Sequence, residues 1–265
     1  MLNPLLVKEF REQARGWKYL TAGASCVLII SILAFGLIWN ASTGKKAINP
    51  EYGRNMFFIF IIALTTIMCT VCPAFTVGAI SSERERLTHD LLRVTLLKPR
   101  HVITGKTVPA LVYAMILLLA SLPVIILIMP AGGASLIEIG YCYLTIFASV
   151  AAFSLTGLMW SSVFRSTRTS AAVTYTCIGF FIFGTMLAPA ILDKVFHLET
   201  SHILLRACIT LNPFLAAASS LGRTVVVSDL TPVQVFGLPV WTMTVLCYLV
   251  ISVIAISIAK VKTLS

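Results

Sequence analysis

The chain has 265 residues, 58% of them hydrophobic and 11% charged, and a formal net charge of +10. A soluble domain carries about 25% charged residues. The composition therefore excludes an ordinary globular fold and points to an all-α polytopic membrane protein.

Residues 1–18 come first. Leu2, Leu5, Leu6 and Phe10 recur at helical spacing, with Lys8, Glu9, Arg11, Glu12 and Arg15 on other faces. Asn3 is a suitable cap, and Pro4 is tolerated in a first turn. The pattern predicts an amphipathic interface helix with its basic groups near lipid headgroups. An anchor with no further role and a partner-docking element both fit. Leu5, Leu6, Lys8, Glu9, Phe10 and Arg11 are its candidate residues.

Residues 19–44, 55–82, 107–137, 139–164, 169–192 and 230–259 carry no charge. Each stretch exceeds the roughly 20 residues a helix needs to cross hydrocarbon. Backbone groups in lipid must be satisfied internally, so these are helices. Six spans are predicted, at about 19–40, 56–80, 107–129, 139–163, 169–192 and 236–259. Trp17, Tyr19, Trp39, Tyr141, Tyr143, Trp160 and Trp241 fall near their ends, where amphipathic rings favour the interface. The first run follows an 18-residue charged segment, so it is expected to stay as a span and not to be removed as a signal peptide.

Between the second and third spans lies ISSERERLTHDLLRVTLLKPRHVITGK, residues 80–106. Nine of the 24 residues from Glu83 to Lys106 are charged. At about 3 kcal/mol per charge, burial in hydrocarbon is prohibitive, so the loop projects into water. Ser81 or Ser82 can cap a helix, and Glu83 and Glu85 sit in its first turn, where the helix dipole favours acids. Leu87, Leu91 and Val94 form one stripe, with Leu92 and Thr95 beside it. Pro99 is expected to end this helix and Gly105 to mark the restart toward the third span.

The long loop between the fifth and sixth spans, about 193–235, contains one more uncharged run at 207–222, interrupted by Asn212-Pro213. At 16 residues it is too short to cross comfortably. A re-entrant or interfacial hairpin and a helix lying on the outer surface both remain open.

Orientation follows from the basic residues. With the N-terminus inside, Lys8, Arg11, Arg15, Lys18, Arg84, Arg86, Arg93, Lys98, Arg100, Lys106, Arg165, Arg168, Lys260 and Lys262 lie on the cytoplasmic side, fourteen in all. Lys45, Lys46, Arg54, Lys194, Arg206 and Arg223 lie outside. The positive-inside bias places both termini in the cytoplasm. Topology and anionic headgroups account for the basic balance, so no nucleic-acid partner is inferred.

Six of the seven cysteines lie in predicted spans, where Cys behaves as a small apolar residue. Cys69 and Cys72 share a helix face, but a zinc site needs two further ligands and the sequence offers none nearby. No metal is expected. There is no G-x-x-x-x-G-K-[ST] phosphate cradle, and no H-E-x-x-H or G-x-S-x-G motif beside a span. The chain is expected to be no enzyme and to bind no cofactor itself.

The 80–106 block resembles the first cytoplasmic loop of type-2 ABC transporter permeases. Glu83-Arg84-Glu85, Thr88, Leu91-Leu92, Thr95-Leu96-Leu97-Lys98-Pro99 and Gly105-Lys106 match that family's pattern in order. NPLLVKEFREQAR resembles its N-terminal interface helix. Leu87 stands where the family usually has Gly, and the turn reads Leu-Leu-Lys-Pro in place of Thr-Pro-Leu. The resemblance implies the permease subunit of an ATP-driven exporter, probed from inside by a separate ABC ATPase subunit that holds ATP and Mg. It also implies a second permease chain, as homodimer or heterodimer, in a bacterial cytoplasmic (inner) membrane. Residues 81–106 would be the coupling loop, with Glu83, Arg84, Glu85 and Arg86 as polar docking groups and Leu87, Thr88, Leu91 and Leu92 beside them.

Two rival classes share parts of this pattern. An ion-coupled carrier or channel usually places ionisable groups in mid-membrane, and the six runs hold none. A non-transporting subunit that recruits an ATPase shares every feature above.

Overall fold

The computed structural model describes residues 6, 9–11, 16–43, 50–85, 99–129, 134–187, 191, 203–221, 234–235 and 238–264. Its helices are α1 (Trp17–Thr43), α2 (Pro50–Val77), α3 (Ser81–Glu85), α4 (Pro99–Ile128), α5 (Leu136–Val163), α6 (Thr167–Gly179), α7 (Ile203–Leu211), α8 (Pro213–Ser220) and α9 (Val240–Leu264). Residues 9–11 are helical too. A π-helical turn, Phe180–Gly184, continues α6. A two-stranded antiparallel ribbon, β1 (Gln234–Val235) and β2 (Leu238–Pro239), leads into α9.

Five helical stretches among the described residues are long and apolar enough to cross a membrane: Gly53–Glu85, Ile103–Ile126, Leu136–Val163, Thr167–Leu187 and Val240–Lys262. They coincide with the second to sixth predicted spans. The first predicted span falls on the 27-residue α1, whose described apolar stretch is Thr21–Ile32.

One expectation is corrected. The helix toward the third span does not restart at Gly105: α4 opens at Pro99, and Gly105 is buried inside it, whereas residues 86–98, where the loop helix was expected to end, lie outside the described residues. Proline lacks an N–H and has a helical φ, so it suits a first position as well as it stops a preceding helix.

α5 is the central helix. It packs against α2, α4, α6, α8 and α9. Lipid gives helices little hydrophobic reason to associate, so close van der Waals approach must supply it, and small residues permit that approach. Ala148, Ser149, Ala152, Gly157, Ser161 and Ser162 of α5 are all buried. A Cβ on Gly157 would sit 2.7 Å from Thr76 Oγ1 and 3.5 Å from the Pro73 carbonyl oxygen, so α2 crosses α5 against bare backbone.

The apolar core gathers Phe57, Phe60, Leu64 and Met68 of α2, Leu117 and Ile125 of α4, Ile146 and Phe153 of α5, and Tyr248 of α9. Outward faces are equally apolar: Leu249, Val250, Val253 and Ile254 of α9 are exposed, as are Met115, Ile116 and Leu119 of α4. Such faces suit a hydrocarbon surround and not water.

In the region of the 207–222 run, α7 and α8 form a helical hairpin broken at Asn212. Its second arm, α8, packs on α2, α5 and α9, with Ala216, Ala217 and Leu221 fully buried. Tyr248, eight residues into α9, donates a 2.7 Å hydrogen bond to the Leu211 carbonyl. At about 1.5 Å per residue, the hairpin's bend lies roughly 12 Å along α9 from its start.

Candidate functional site

The densest polar network among the described residues lies where α2 ends. The chain turns at 78–80 and re-enters a helix at Ser81. A turn at a helix end leaves N–H and C=O groups without intrahelical partners. Other helices satisfy them here. Ser161 Oγ, on α5, accepts the Ile80 N–H at 2.9 Å and the Ser81 N–H at 3.0 Å. Ser170 Oγ, on α6, donates to the Val77 carbonyl at 2.9 Å. Ser81 and Thr167 hydroxyls meet at 3.3 Å, as do those of Ser161 and Ser81. Ser161, Ser170 and Ser81 are fully buried.

Two carboxylates complete the junction. Glu85 Oε1 accepts the Thr167 N–H at 2.8 Å, and Oε2 accepts the Thr167 hydroxyl at 2.9 Å. Thr167 is the first residue of α6, and Ser166 makes no side-chain cap there. Glu85 therefore serves as the cap of a helix it does not belong to, placing negative charge at the positive end of the dipole. Glu83 Oε1 accepts from Lys106 Nζ of α4 at 2.7 Å, and Glu9 Oε1 approaches the same ammonium at 3.4 Å. The Lys106 side chain is only 5% exposed. A buried cation requires charged or polar partners to offset its desolvation.

The junction brings distant parts of the sequence to one end of the bundle. Lys106 links the N-terminal segment, through Glu9, to the root of the loop, through Glu83. Beside it Ile80, Ile103 and Leu158 form a small apolar cluster with Ala259, near the end of α9.

Among the expected docking residues, Glu83 and Arg84 are half-buried and Glu85 is exposed. Arg86, Leu87, Thr88, Leu91 and Leu92 lie outside the described residues. In the interface segment, Leu6, Glu9 and Phe10 are half-buried and Arg11 is exposed; Leu5 and Lys8 lie outside the described residues. Sequence reasoning missed Ser161, Thr167 and Ser170. Their hydroxyls look like those of any membrane helix, and only the paired Ser81-Ser82 beside a charged loop hinted at a polar corner.

A second polar centre secures the hairpin. Asn212 is fully buried. Its Nδ2 donates to the Ile182 carbonyl at 2.9 Å and to Thr185 Oγ1 at 3.0 Å. Its Oδ1 accepts the Phe214 and Leu215 N–H groups, capping α8. Ile182 belongs to the π-helical turn, so Asn212 takes up a carbonyl where the regular helical ladder is interrupted. At the end of the bundle away from the junction, Arg54 of α2 pairs with Glu138 of α5 at 3.2 Å. Glu138 also completes a capping box with Ser135.

Cys69 and Cys72 are buried in the apolar core. No group of three or more His, Cys, Asp or Glu side chains gathers at metal-binding distance among the described residues.

A family model described as ABC-2 type transporter matches residues 3–192. The match runs from the N-terminal segment past α6, and the hairpin and α9 lie beyond it. No curated protein matches the chain.

Proposed function

The chain belongs to the ABC-2 type transporter family, and from that membership we propose that it is the membrane-spanning subunit of an ATP-driven exporter, worked from its inner face by a separate ATPase. The family assignment makes it an ABC transporter permease component and an integral membrane protein. Permeases of this family normally work with an ABC ATPase. Coupling to such a partner, the outward direction of transport, a six-span body that includes α1, an inner-membrane location and cytoplasmic termini are our reading.

One observation carries it. The N-terminal segment, the root of the 80–106 loop and the end of α9 converge on the same end of the bundle, around Lys106 and Ile80. An ATPase seated there grips the interface helix and the loop together. Arg86, Leu87, Thr88, Leu91 and Leu92, which follow Glu85 in the loop sequence, supply the contact. ATP and Mg reside in the ATPase, and closure of the ATPase pair tilts the helices between two access states.

A second permease chain faces α2 and α6. Their exposed sides carry Thr66, Thr70, Thr169, Ala172 and Thr176, whereas the exposed face of α9 is aliphatic. The Tyr175 hydroxyl, bonded to the Thr70 carbonyl at 2.9 Å, joins the two sides. Hydroxyl-bearing small residues favour helix association over lipid contact.

The test is co-expression with an ABC ATPase subunit, beginning with any that is encoded near this chain. A stable complex that hydrolyses ATP in nanodiscs is expected. Absence of any complex, with the purified chain alone moving solute down an imposed ion gradient, would establish a carrier instead.

A further inference from the structure

We propose that Glu83 and Glu85 are positioning residues that form a two-sided clamp, binding the root of the loop to α4 through Lys106 and to α6 through Thr167, so that one displacement of the loop moves both helices. The proposal deepens the reading above and reassigns two residues first expected to meet the ATPase.

The clamp follows from helical geometry. Consecutive residues on an α-helix are separated by about 100°, so Glu83 and Glu85 point to nearly opposite sides. The Glu-Arg-Glu spacing thus sends one carboxylate to each neighbour. Glu83 reaches the buried Lys106 ammonium at 2.7 Å, about two turns into α4. Glu85 takes both the N–H and the hydroxyl of Thr167, the first residue of α6, within 2.9 Å. Between them, Ser161 fixes the N–H groups of Ile80 and Ser81 to α5. α5 packs most extensively against the other helices, so it acts as the fixed point about which the clamp turns. Charge-assisted bonds of this kind are the stronger class of hydrogen bond. They are suited to carrying displacement between elements that otherwise touch little: α3 packs on α6, and its tie to α4 runs through Lys106.

Hydrogen exchange of the full chain in nanodiscs tests the clamp. Glu83→Gln should raise exchange on the order of tenfold across residues 99–106 and leave 166–172 unchanged. Glu85→Ala should do the converse. Lys106→Met, which breaks the first contact from its other side, should reproduce the Glu83→Gln pattern. In the complex with the ATPase, trapping with ADP and vanadate should alter exchange at both segments in the unmodified protein. Each variant should keep the ATPase bound but lose the response at its own segment alone. Variants that shed the ATPase would return Glu83 and Glu85 to a docking role. Unchanged exchange in the chain alone, or trapping responses untouched by the substitutions, would overturn the clamp. If the unmodified chain forms no ATPase complex, the exporter reading fails, and the chain-alone exchange still decides the clamp.

Discussion

Tyr248 and Leu211 join a membrane helix to the bend of the hairpin: the phenolic hydroxyl donates to the carbonyl at 2.7 Å, with the ring buried against Phe153. Removing the hydroxyl leaves the carbonyl at a helix end without that donor. Tyr248→Phe should destabilise the protein by about 1–2 kcal/mol. The apparent unfolding temperature in detergent measures it, and an unchanged temperature would place the hairpin elsewhere.

Asn212 supplies two donors and one acceptor atom from a single buried side chain. Asn212→Ala loses the α8 cap and both donated bonds, for an expected cost of about 2–4 kcal/mol. Asn212→Asp keeps the shape and the cap but turns a carboxyl oxygen toward the Ile182 carbonyl. It should destabilise at least as much as alanine. Thermal unfolding of the two variants side by side checks this; a mild aspartate variant would contradict the bonding pattern.

The α2–α5 crossing has no room for a methyl group at Gly157. Gly157→Ala should cost about 1–3 kcal/mol through overpacking against Thr76. Thr76→Ala removes the hydroxyl that the new Cβ would meet, so the double variant should recover part of the loss. A double-mutant cycle on unfolding measures that coupling. Strict additivity would show that the helices do not meet at this point.

Ser161 receives two N–H groups with one oxygen. Ser161→Ala leaves both without that acceptor, at an expected cost of about 2–3 kcal/mol. Ser161→Cys should be intermediate, because sulfur is a weak acceptor. Hydrogen exchange at Ile80 and Ser81 reports the loss directly, and continued protection in the alanine variant would show another acceptor.

The spans from the second onward were legible because charge is expensive in hydrocarbon: the uncharged gaps between Arg54 and Glu83, or Lys106 and Glu138, are long enough to cross it, and each holds a long apolar helix. The break at Asn212-Pro213 was also legible, since a capping side chain followed by proline is a helix start. Where that hairpin sits was not, because an uncharged apolar run of its length suits a core or a surface equally. Gly105 misled for a related reason: glycine is a helix breaker in water, yet a buried glycine serves packing and sits inside α4. The junction was hidden most deeply. Hydroxyls in membrane helices usually bond to their own preceding turn, as Ser149 and Thr174 do, and sequence does not distinguish those from Ser161 and Ser170, which reach across to another helix.

The corner after α2 is completed by atoms about eighty positions downstream. A chain made from its N-terminus onward must insert α2 well before Ser161 exists to receive those two amides. Early in biogenesis the corner is therefore unfinished, and it closes only when the fourth predicted span arrives. Truncations that stop short of α5 remove a partner on which the corner after α2 depends.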